Sequence, residues 1–180
     1  MNKPKLPIHN LSERHPGLTA ELGESYTQAA RVCLDRHHIS PTEFDIFNKG
    51  SNQVAVAEWS ICDDRIRNAF ANEIDTTEAG AYACALAAVE LSRGLVAIRR
   101  AETKTGADYY IAQIDHKIED LEECLRLEIS GVDSGPESTI NQRLREKIRQ
   151  ATAGSSNLPA VATVVGFKVR KVMIEDVEEK

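Results

Sequence analysis

The stretch from Asp75 to Gly94, DTTEAGAYACALAAVELSRG, constrains the fold more than any other part of the chain. It is long, rich in alanine and free of proline, and Ala79, Tyr82, Ala83, Leu86 and Ala87 recur at the spacing of one helical face. Gly94 supplies its stop. A helix with so few large side chains can lie close against a sheet, and the sequence that follows offers one. LVAIRRAET and DYYIAQI read as strands joined by a KTG turn, and CLRLEISG reads as a third. SGPE from Ser134 has the form of a capping box, and the helix it opens carries Ile140, Leu144, Ile148 and Ala151 on one face until Gly154. AVATVVGFKVRKVMI then closes the chain as one long strand or two, its first half apolar on both sides. The order predicts an α/β (α+β) fold, a central mixed sheet of about four to five strands flanked by helices.

Ahead of this core the chain reads as a helical N-terminal third. Residues 1–17 are polar with three prolines and are expected to be a flexible arm, leaving 18–180 as a single α/β domain. Leu22, Tyr26, Ala29, Ala30, Cys33 and Leu34 mark a helix from Thr19, closed by Arg36, His37 and His38, whose charge suits a helix C-terminus. SPTE at Ser40–Glu43 predicts a short helix to Asn48 that stops at Gly50. QVAVAEWS follows as a strand, and Asp63 or Asp64 caps another short helix.

Composition narrows the function classes. No apolar run approaches the roughly 18 residues of a membrane span, and MNKPKLPIHN lacks the apolar stretch of a secretory signal. Cys33, Cys62, Cys84 and Cys124 are scattered without a CxxC pair, which predicts buried reduced thiols and a cytoplasmic location. A net charge of −6 speaks against a stand-alone grip on duplex phosphates. A nucleic-acid role would need a local basic patch, a metal ion or a partner chain; FKVRK at Phe167–Lys171 is the densest basic run of the C-terminal half.

Two carboxylates then stand out in GADYYIAQIDHKIEDLEECLRLEISG. If the two segments pair antiparallel, Asp108 lies opposite Glu128 or Ser130, and parity places all three side chains on one face at one end of the sheet. A hard cation such as Mg²⁺ takes oxygen ligands of this kind, often one or two carboxylates plus substrate phosphate. Lys147, within the apolar stripe of its helix, is expected to snorkel outward. Trp59 is read as a packing residue.

The arrangement resembles the PD-(D/E)XK nuclease superfamily, with its restriction-endonuclease-like fold. The pieces that carry the resemblance are GAD ending at Asp108, EIS at Glu128–Ser130, the helix from Thr76, the helix from Pro136 and the strand from Ala160, covering about residues 76–167. The resemblance implies a Mg²⁺-dependent nuclease acting on DNA or RNA, with Asp108 and Glu128 as metal ligands. Many members place a glutamate on the preceding helix, a role open to Glu78, although Asp75 and Glu78 also form a capping-box pair. Ser130 occupies the family's lysine position and supplies no positive charge. Lys104, in the turn beside Asp108, is the nearest replacement. The alternative keeps the fold without the chemistry: an accessory or immunity-type binding protein that acts through a partner protein.

Overall fold

The computed structural model describes residues 2–117 and 119–178. Its elements run α1 (Leu11–Arg14), α2 (Ala20–His37), β1 (Thr42–Asn48), β2 (Ser51–Ala57), α3 (Asp64–Ala69), α4 (Glu73–Arg93), β3 (Val96–Arg100), β4 (Tyr109–Ala112), β5 (Leu125–Val132), α5 (Glu137–Ala153), β6 (Ala160–Gly166) and β7 (Lys171–Val177). The strands form one seven-stranded mixed sheet in the order β2-β1-β7-β6-β5-β4-β3. β3, β4 and β5 are a consecutive antiparallel set, and α5 carries the chain across to β6, which lies parallel to β5. The α/β class and the expected run from helix to closing strand are therefore present. The sheet is larger than the four to five strands expected.

The extra strands have clear causes. Thr42–Asn48, expected as a helix, is instead β1, because Phe44 and Ile46 alternate inward with Glu43 and Asp45 between them. Lys49 and Gly50 both have positive φ, 50° and 76°, so the chain reverses there into β2 as a tight hairpin. Likewise Arg170, at φ 57°, splits the final apolar run into antiparallel β6 and β7.

α4 begins at Glu73, not Thr76, because the Asn72 side chain accepts from Ile74 N and Asp75 N. That displaces the expected Asp75–Glu78 capping box. α5 starts after Pro136, whose position leaves no side-chain cap, so the Ser134 capping box does not form either. Burial on two sides explains the alanines of α4, since the helix packs between the sheet and α2. At Gly80 an added Cβ would lie 3.0 Å from the Ala30 backbone, so the two helices touch main chain to side-chain-free surface.

α4 covers the face of the sheet bearing Tyr109, Ile111, Leu127 and Ile129, all buried. α5 covers the other face, where Ile140, Leu144 and Ala151 meet Ala160, Ala162 and Val164. Burying each large aliphatic side chain there contributes about 1.5–3 kcal/mol. All four cysteines are free and buried, as expected.

Residues before α2, expected as a flexible arm, are instead packed: Leu6, Ile8, Leu11 and Leu18 are buried. Val56 N donates to Pro4 O at 2.9 Å and Leu6 N to Val56 O at 2.8 Å. Further on, Gly17 N donates to Ala97 O at 2.9 Å, and Ala97 N donates to His15 Nδ1 at 3.0 Å. With Nδ1 accepting, His15 keeps its proton on Nε2, directed at Glu90 3.1 Å away. Burial lowers its pKa below the usual histidine value and keeps the ring neutral.

Candidate functional site

β4 and β5 pair with Tyr109 against Leu127 and Tyr110 against Arg126. One step further along that register, Asp108 faces Glu128, and Asp108 N donates to Leu127 O at 2.8 Å. Parity then puts Arg126, Glu128 and Ser130 on the α5 side of the sheet. The next ladder bond departs from the regular pattern. Ile129 N donates to Asp108 Oδ2 at 2.7 Å, so the carboxylate replaces a main-chain acceptor and is fixed against β5.

Its other oxygen faces an aromatic and cationic cluster. Tyr82 of α4 donates to Asp108 Oδ1 at 2.8 Å, and Arg100 Nη2 donates to the Tyr82 hydroxyl at 3.2 Å. The Arg100 guanidinium lies 4.9 Å from the ring centres of both Tyr82 and Tyr109. Tyr109 in turn shares a 2.8 Å hydrogen bond with Tyr26. Burial and then the neighbouring Asp108 carboxylate push the Tyr82 hydroxyl above the usual phenol range, so it stays protonated as a donor.

Glu128 is 4% exposed, and its Oε1 accepts from Lys147 Nζ at 2.6 Å. Lys147 also donates to Gln150 Oε1 at 3.2 Å. Burial first, and Asp108 second, push the Glu128 carboxyl above its ordinary value, with Lys147 opposing them. The expectation that Lys147 snorkels outward is overturned: its side chain is 19% exposed and turned inward onto Glu128.

Arg100, Asp108, Glu128, Lys147 and Gln150 line a cleft of about 1120 Å³ beside the part of β5 that follows Glu128. The first turns of α4, the β3–β4 connection, β5 and α5 form its walls. Glu78, Lys104 and Ser130 all border it. Glu78 is exposed, and among the described residues no side-chain partner holds it. Among the described residues no three His, Cys, Asp or Glu side chains gather as a metal-holding group. Lys104, at φ 71°, is held by its carbonyl, which accepts from Ser155 N at 3.2 Å and Ser155 Oγ at 3.0 Å. Ser130, half-buried, follows Glu128 on the same side of β5.

The wall around Lys104 depends on Arg126. This buried guanidinium donates to Thr105 O at 2.7 Å, Ala151 O at 3.0 Å and Leu158 O at 2.8 Å. It ties the β3–β4 connection to the end of α5, where a Cβ on Gly154 would sit 2.2 Å from Thr105 O.

FKVRK does not border the cleft. Phe167 is buried, and Lys171 bonds to Glu137 at 2.6 Å while lying 4.5 Å from the Phe47 ring centre. Trp59 is a packing residue, its indole N–H donating to Asp35 at 2.6 Å. Among the described residues no helix is long and apolar enough to cross a membrane. Tyr82, Arg100 and Lys147 are the site residues that sequence reasoning missed; the one signal was a lysine interrupting the apolar stripe of α5. Compared with protein-family models, curated proteins and solved structures, the chain matches none, and its site is defined by its own geometry.

Proposed function

We propose that the cleft is a nuclease-like site that hydrolyses phosphodiester bonds of DNA or RNA with Mg²⁺ held by Asp108 and Glu128. The observation that carries this reading is the Lys147 ammonium, 2.6 Å from Glu128. It brings to the carboxylate pair, from the helix after β5, the positive charge that Ser130 lacks. The order α4-β3-β4-β5-α5-β6, with β5 and β6 parallel, supports kinship with the PD-(D/E)XK superfamily. The donors also fit the ion: oxygen only, two carboxylates across one register, and open space for water and a phosphate. When bound, such a cation supplies Lewis acidity and lowers the pKa of a coordinated water.

The chain's own groups have distinct parts. Ile129 N and Tyr82 fix the two Asp108 oxygens, so that carboxylate is preorganised. Lys147 orients Glu128 and places a cation where charge develops on a phosphate. Ser130 offers a hydroxyl beside them, and Glu78 and Lys104 stand at the rim.

A second reading is an accessory or immunity-type binding protein working through a partner protein. What favours it is that Lys147 already balances Glu128, and both Asp108 oxygens already accept donors from the chain. Melting curves with millimolar MgCl₂ or MnCl₂ separate the two. For the nuclease, metal at about ten times its Kd adds about 1.4 kcal/mol, a rise of about 3–6 °C. The rise disappears in Asp108→Ala, and cleavage of DNA or RNA requires the metal. No shift and no cleavage leaves the partner-binding reading.

A further inference from the structure

The cleft is polarised across its width. α4 brings Glu73 and Glu78 to it from one face of the sheet, and α5 brings Thr139, Arg143 and Lys147 from the other. The α5 residues are four apart, so they stack along one side of the helix. Lys147 is occupied by Glu128, but Arg143 is not so held. Its side chain is 46% exposed, and its nearest carboxylate among the described residues is Glu146 at 3.8 Å, a distance at which an exposed pair counts for little. Lys104 faces the same cleft and makes no ion pair among the described residues. The first turn of α5 has no side-chain cap, so its positive end adds to the field on this wall.

We propose that the Thr139–Arg143 side of α5 is the track for one strand of nucleic acid, with Arg143 and the Thr139 hydroxyl holding a backbone phosphate next to the Asp108–Glu128 pair and Lys104 receiving a second. This assignment rests on the nuclease reading above. One strand fits and a duplex does not, because a second phosphate backbone would be driven toward Glu73 and Glu78. None of the described lining residues is aromatic, so bases find no stacking platform. Binding is thus sequence-blind and falls with salt by about −0.7 in log–log slope per phosphate neutralised, about −1.4 for Arg143 and Lys104 together.

The test is fluorescence anisotropy of a labelled single-stranded oligonucleotide with EDTA present, against a blunt duplex of the same sequence. The parent protein binds the single strand more tightly. Arg143→Gln weakens that binding about tenfold and flattens the salt slope by about 0.7. Arg145→Gln, the same charge change away from the cleft lining, alters neither. Equal losses in both variants, or preference for the duplex, overturn the assignment. Absence of binding by the parent protein overturns it too. A metal-induced rise in melting temperature, lost in Asp108→Ala, then shows whether the cation site stands without this track.

Discussion

Replacing Lys147 with methionine lowers the melting temperature of the metal-free protein by about 6–12 °C at pH 8, and by much less at pH 4. Methionine keeps most of the aliphatic stem against the apolar stripe, so the loss isolates the ammonium. Removing one partner of a buried ion pair costs about 3 kcal/mol because the other charge stays buried. The pH dependence follows from Glu128, whose pKa burial and Asp108 raise above the ordinary 4.5. A group raised in the native state contributes stability that is full below its unfolded pKa and lost as pH climbs through its native value. Lys147 opposes that loss by favouring the ionised carboxylate. Without it the native value rises further, so the gap between variant and parent widens from about pH 4 to pH 8. Millimolar Mg²⁺ narrows the gap at pH 8 if a divalent cation can occupy the ammonium's place. If the cleft is a nuclease, cleavage also falls about 10²- to 10³-fold, the usual cost of losing one group that stabilises developing charge. A pH-independent loss would assign Lys147 to packing alone.

Arg126→Met is expected to cost about 4 kcal/mol at any pH between 5 and 9, a drop of about 8–16 °C. Among the described residues no carboxylate forms an ion pair with this guanidinium; its hydrogen bonds go to the carbonyls of Thr105, Ala151 and Leu158. Hydrogen bonds from a charged donor contribute about 1.5–3 kcal/mol each, and the bond to Ala151 O is buried while those to Thr105 O and Leu158 O are partly so. Glycine at 154 leaves no side chain to fill the gap. The variant should also admit proteolysis within residues 101–107 before the rest of the chain, because that connection loses its tie to α5. Limited proteolysis with mass spectrometry reads this directly, and uniform cleavage across the chain would count against it.

What the sequence made legible and what it hid have physical reasons. From α4 to β6 the apolar periodicity changes cleanly between helix and strand, and Gly94 marks a stop. Parity alone then placed Asp108 and Glu128 together. The hairpin from Thr42 was hidden because SPTE is a good local helix start, whereas the decisive signals, alternating Phe44 and Ile46 and the Lys49–Gly50 reversal, depend on β7 alongside. The first residues looked unstructured because Leu6, Ile8 and Leu11 follow no period; tertiary contact alone buries them. Lys147 was misread for a related reason. Helical periodicity puts it in the buried stripe, but nothing local reveals an unneutralised carboxylate beneath it on β5.

The segment ahead of α2 has a consequence for behaviour at high concentration. β2 and β3 are the outermost strands of the sheet, and an outer strand offers unpaired donors and acceptors to any other extended chain. Pro4 and Leu6 occupy such positions at Val56 of β2, while His15 and Gly17 occupy them at Ala97 of β3. At Gly17 the approach is so close that a Cβ would lie 2.7 Å from Arg99 N. One short stretch of chain therefore blunts both borders of the sheet, and strand-to-strand self-association is blocked at each by residues that take no part in the cleft.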